Sequence, residues 1–104
     1  MKRPVRIGAG AQAEMAEAAR WYEAQRSGLG RDFLRSVGLV IARVEAAPRT
    51  GSPVSGIADT DIRQVLVRRF PYHVVYIELP DRAQVLAIAH HLRHPRYWIG
   101  RVPR

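Results

Sequence analysis

Cysteine is absent from this 104-residue sequence, which excludes disulfides, thiolate metal sites and cysteine nucleophiles. No apolar run approaches the roughly 18–20 residues that cross a bilayer, so no membrane role is expected. The basic start Met1-Lys2-Arg3 leads into a short stretch, Pro4 to Gly10, that Arg6 interrupts. That is not the pattern of a signal peptide, and with the missing cysteine it fits a cytoplasmic protein. Lysine is nearly missing too: Lys2 is the one lysine among 17 basic residues. Acid is scarce, with nine Asp and Glu residues against those 17, leaving a net charge of +8. A small domain this basic is drawn to an anionic target or an acidic partner, although arginine also serves solubility.

What is present reads as one domain over residues 1–104, since a chain this short holds a single core. Pro4 to Ile7 is a short strand, broken by Gly8 and Gly10. Ala11 to Gln25 is an alanine-rich helix with Met15, Ala18, Ala19 and Tyr22 at helical spacing, ended by Ser27-Gly28. Arg31 to Ala47 is a second helix. Its stripe is Phe33, Val37, Ile41 and Val44, widened by Leu34 and Val40, and Pro48 stops it. So short a link predicts a helical hairpin, with Gly38 compensated by close approach to the first helix's alanine face. Pro48 to Asp61 has loop composition. Three strands follow: Ile62 to Arg68, Tyr72 to Leu79 and Ala83 to His90. The middle one is the clearest, through its β-branched and aromatic run Val74 to Ile77. Short turns at Phe70-Pro71 and at Pro80 to Arg82 make these strands antiparallel. The expected class is α+β in the order β-α-α-β-β-β. A twisted antiparallel sheet would carry the hairpin on one face and leave the other open, with a basic, aromatic tail from Arg93.

Three phrases carry a family resemblance. They are Trp21-Tyr22-Glu23 with Gly28-Leu29-Gly30 and Phe33; Ile62-Arg63 leading into Arg69-Phe70-Pro71-Tyr72-His73-Val74-Val75-Tyr76; and His90-His91-Leu92-Arg93-His94-Pro95-Arg96-Tyr97-Trp98. In order and spacing the chain resembles the RelE/ParE superfamily of toxins from bacterial type II toxin–antitoxin systems, over essentially its whole length. The resemblance implies a cognate antitoxin whose C-terminal segment wraps and blocks the toxin, with operator DNA bound only through that antitoxin. It implies one of two targets: DNA gyrase for the ParE-like arm, or messenger RNA on the ribosome for the nuclease arm.

Cutting RNA needs a base for the 2′-hydroxyl, an acid for the leaving oxygen and cations for the phosphate. His90, His91 and Tyr97 are the candidates for the first two tasks. Arg63, Arg68, Arg69, Arg93, Arg96 and Arg101 are candidates for holding phosphate or target, and Trp98 for stacking. His90 and His91 must point to opposite sides of a strand, so at most one reaches the open face. His73 and His94 complete the set of histidines. Where resembling nucleases carry lysines, this chain has Gln64 and Leu66, and where they carry an arginine it has His73. That departure tips the resemblance toward the ParE-like, non-enzymatic arm and leaves a histidine-based endoribonuclease, or an inactive toxin confined to operon regulation, as alternatives. On the gyrase reading, removing residues 93–104 should weaken toxicity, whereas changing His90 and His91 should not. No cofactor is implied, and four histidines without gathered spacing do not make a metal site. Residues 62–77 carry Arg63, Arg68 and Arg69 and no acid. An acidic or amphipathic antitoxin segment is therefore expected on the open face, adding a strand or laying a helix there.

Overall fold

The computed structural model describes residues 3–57 and 61–103. Strand β1 (Val5–Ile7) leads to helices α1 (Ala9–Gln25) and α2 (Leu29–Ala46). Strands β2 (Ser52–Pro53), β3 (Ile62–Leu66), β4 (Tyr72–Glu78) and β5 (Ala83–His90) follow, then a 3-10 turn over Ile99–Arg101. The strands form one sheet in the order β1-β5-β4-β3-β2. β3, β4 and β5 are antiparallel neighbours, as their short turns require. β1 lies parallel to β5, so the sheet is mixed and not wholly antiparallel. The long helical crossover after β1 is what permits this. β2 falls in the segment expected to be loop, where Ser52 and Pro53 pair with Gln64 and Arg63. Residues 58–60 of that segment lie outside the described residues.

The hairpin turns on two glycines and one acid. Gly28 has φ +90°, the left-handed region where a side chain is strained. A Cβ on Gly30 would stand 2.5 Å from the Ala19 carbonyl oxygen, so it is Gly30 that lets the helices close. Gly38, expected to do so, is exposed with nothing within 4 Å of a Cβ. The Glu23 carboxylate accepts the N–H groups of Gly28 and Gly30, both at 3.0 Å, and so caps the start of α2. Helix α1 begins at Ala9, before the expected Ala11, so Gly10 lies inside it, under the Arg101 guanidinium. The buried stripe of α2 is Phe33, Val37, Val40 and Val44, while Leu34 is 44% exposed and does not widen it.

Two cores result, one on each side of the sheet. Phe33, Val37, Val44, Val74, Tyr76, Val85 and Ile88 fill the helix side, with Tyr22, Phe33, Phe70 and Tyr72 in edge-on aromatic contact at one end. Ile62, Val75, Ile77, Leu86, Ala87 and Ala89 fill the other side, under Trp98. That second face, expected to be open, is therefore partly roofed by the tail. A register shift decides which residues face it. Val75 pairs with Ala87 and Tyr76 with Val85, which leaves Leu86 unopposed. Beyond this bulge the even positions of β5 turn to the helices, so Ile88 and His90 lie on the helix side and Ala89 on the other.

Candidate functional site

The uncovered part of the second face is a groove of about 280 Å³ between the sheet and the tail. β3 contributes Gln64, β4 His73 and β5 Ala89; His91, Arg93, His94, Pro95 and Arg96 close it from the chain after β5, with Val54 and Ser55 opposite. No described lining residue is acidic. The His73 and His91 rings stack, with centroids 5.3 Å apart and planes at 26°. Burial, and secondarily the neighbouring His91, hold the His73 imidazole below the usual histidine range. His73 is thus kept as a neutral proton acceptor at neutral pH. Arg96 has φ 64° and donates to the Gly56 carbonyl at 3.2 Å, which ties the tail to the loop after β2.

The residues expected at the site are only partly brought together. His91, Arg93 and Arg96 meet in the groove, with His73 and His94 beside them. His90 stays at its rim: the ring packs edge-on against Tyr72 at 5.0 Å, and Nδ1 accepts the Leu92 N–H at 3.0 Å. Arg68 lies further along the same face, in a second hollow that shares Gln64 and His73 with the first. Arg69 is elsewhere, paired with Asp32 at 3.8 Å and close to the Phe70 ring. Arg63 is buried and donates to the Gly51 carbonyl at 2.8 Å, so it offers no free fork to a phosphate. Trp98 is 3% exposed and is core, with no face left for a base.

Tyr97 and Arg101 are held by a residue the sequence reading missed. The Tyr97 hydroxyl donates to Glu14 at 2.6 Å, and Arg101 donates to both Glu14 oxygens at 3.0 and 3.2 Å. The same carboxylate accepts the Ile88 N–H at 3.0 Å. Burial and then the Glu14 bond push the Tyr97 phenol far above its usual range, so it is no ready acid. The Arg93 guanidinium lies 3.8 Å from the Tyr97 ring centroid, which orients it toward the groove. Nothing local marks Glu14, one of three acids in the alanine-rich α1. In the sequence Gln64 stands out only as the residue where resembling nucleases carry a lysine, and its place in the groove comes from the structure. Among the described residues no three His, Asp or Glu side chains gather to hold a metal ion, and no helix is long and apolar enough to cross a membrane.

The groove can bind an anion between imidazoles and two guanidinium groups, and His73 can take a proton. No protein-family profile and no curated protein matches this sequence. Two solved structures are similar in fold. A chain from "Chromosomal ParDE TA system from P. aeruginosa" superimposes with a TM-score of 0.72 at 11% identity, covering 86% of this chain and 96% of that one. A chain from the YoeB dimer of Staphylococcus aureus gives 0.59 at 7% identity, covering 88% of this chain and 99% of that one. Near-complete coverage of both, with the same two helices against a twisted sheet, identifies the fold of this chain as RelE/ParE-like.

Proposed function

We propose that this chain is the toxin of a type II toxin–antitoxin pair, and that it arrests growth by binding its target through the basic groove and tail. The observation that carries this is the groove itself: His73, His91, His94, Arg93 and Arg96 face one another with no acid among the described lining residues, on a RelE/ParE-like fold. A cytoplasmic antitoxin with an acidic segment is the partner that neutralises it, and operator DNA is reached only through that antitoxin. The target is DNA gyrase, in the ParE-like manner. Support for binding over cutting comes from Tyr97 and Arg101, both engaged by Glu14, and from Arg63, which is buried.

One observation favours a second reading, an endoribonuclease acting on ribosome-bound messages. His73 and His91 stack in the groove, with His73 kept neutral as a base would need. Pulse-labelling just after induction without antitoxin separates the two. DNA synthesis failing first supports gyrase. Protein synthesis failing within minutes, with discrete cuts in translated messages that disappear in His73→Ala, supports the nuclease. Unaffected growth in a susceptible host removes the toxin reading altogether.

A further inference from the structure

In a chain with a net charge of +8, one hollow on the helix side of the sheet reverses the sign of its surroundings. It has a volume of about 450 Å³ and is lined by Glu17, Trp21, Tyr22, Pro71, Tyr72 and His90, with no arginine among the described lining residues. Glu17 and Trp21 stand four residues apart on α1 and so share a face of that helix. Tyr72 opens β4, His90 closes β5, and the two are paired across the sheet. The rings meet at steep angles. Trp21 and Tyr22 have centroids 5.2 Å apart and planes at 83°, Tyr22 and Tyr72 6.3 Å and 66°, and Tyr72 and His90 5.0 Å and 88°. An edge-on contact uses the face of one ring only, which leaves ring faces for the hollow. Trp21 is itself 60% exposed.

The chain's own cations leave these faces alone. The arginines that lie over rings are on Phe70 and Tyr97, and among the described residues none lies over Trp21, Tyr22 or Tyr72. Burial first, then Tyr22 and the carboxylates of Glu17 and Glu14, hold the Tyr72 phenol above its usual range, so the negative field of α1 reaches this wall.

That chemistry selects a ligand. Aromatic faces are negative and Glu17 adds to them, so a phosphate or carboxylate is repelled and a cation attracted. A metal ion needs several oxygen ligands, and the lining offers one carboxylate beside two phenol hydroxyls. A bare ammonium must keep its three N–H groups bonded as it leaves water, which so few acceptors do poorly. A quaternary ammonium has no N–H to satisfy, and its methyl groups pack on ring faces.

We propose that this hollow binds the trimethylammonium group of a small free solute, with Trp21, Tyr22 and Tyr72 as walls and Glu17 as counter-charge. The inference stands apart from the proposed function, which uses the groove on the other side of the sheet.

The test titrates the full chain with choline and with tetramethylammonium chloride and follows the indole N–H signals by NMR. The chain has two tryptophans, and buried Trp98 serves as the internal control. The Trp21 signal should move with a Kd of about 1 mM while that of Trp98 stays in place. Neohexanol, which is choline with carbon in place of the charged nitrogen, should bind about tenfold more weakly or not at all. Glu17→Gln and Trp21→Leu, both at exposed positions, should each weaken choline binding by about fivefold or more with the melting transition retained. The proposal is overturned by an unmoved Trp21 signal up to about 20 mM choline. It is equally overturned by neohexanol binding as well as choline, by unchanged affinity in the two variants, or by shifts confined to His91 and Arg93. Binding to phosphatidylcholine vesicles without binding of free choline would replace the solute by a membrane and overturn it as well.

Discussion

Gly30 and Gly38 share a helix but face opposite surroundings, so the same substitution tests packing at one and helix propensity at the other. At Gly38 a methyl group meets open space, and alanine should raise stability by up to about 1 kcal/mol. At Gly30 it would strike the Ala19 carbonyl and the Glu23 side chain, and alanine should lower stability by about 1–3 kcal/mol as the helices part. Urea unfolding of the two variants checks both; equal effects would contradict the packing described. His73 gives a pH signature at this same scale. Its folded value is depressed by burial and by His91, whereas the unfolded chain titrates near the ordinary value of about 6.5. Between those two values the unfolded state holds more protons, so stability rises with pH there. The contribution is fully present above about 6.5 and is lost as pH falls through the depressed folded value. His73→Gln should flatten this part of the stability profile; identical slopes in the two proteins would remove His73 as its source.

At the scale of elements, the least regular segment is held by the most connected side chain. β1 ends at Ile7 opposite Val85, so the outer edge of β5 beyond that point has no strand beside it. Glu14 and Arg101 take over: Glu14 accepts from Ile88 N–H, and Arg101 donates to the Leu86 carbonyl at 3.0 Å. Arg101, its side chain one-third open to solvent at 34%, contributes less than a buried charged bond would. Glu14→Ala should therefore cost about 2 kcal/mol, below the sum of several charge-assisted bonds. The Ile88 amide should exchange faster in that variant, and unchanged protection would show that the latch does not hold the tail. None of this was legible in the sequence, because Glu14 serves an edge exposed only by the parallel placement of β1. β5 was legible to its ends, Ala83 and His90, and β4 nearly so, because runs of β-branched and apolar residues between prolines have one local solution. β2 was not, since Ser52 and Pro53 carry no strand preference and are strand only by pairing with β3. The bulge at Leu86 was equally hidden, and it sets which histidines share the groove. Alternation correctly separated His90 from His91, but only the register shift sends His91 to the side of His73.

For the whole molecule, the tail has two roles that a deletion cannot separate. Removing residues 93–104 would take away the positive charge of Arg93 and Arg96, and with it Trp98, which is 3% exposed over Leu86, Ala87 and Ala89. Losing a buried tryptophan costs about 3–5 kcal/mol, a large share of the roughly 5–15 kcal/mol that holds a domain together. The truncated chain should therefore unfold, and a loss of the proposed growth arrest would not bear on the target. Reversing charge at Arg93 and Arg96 is the cleaner change. Both side chains are exposed, and the main packing at stake is the Arg93 contact with the Tyr97 ring, worth about 0.5–1 kcal/mol at such a site. Arg93→Glu with Arg96→Glu, which also removes the exposed Arg96 bond to the Gly56 carbonyl, should lower the melting transition by no more than roughly 10 °C and leave the domain folded, since about 1 kcal/mol shifts a domain this size by roughly 4–8 °C. On the proposed function, the same variant should lose growth arrest on induction, because a negatively charged groove would repel an anionic target surface. Full toxicity in a folded double variant would move the working surface away from this groove. The helical hairpin, with Trp21 60% exposed on α1, would then be the next place to look.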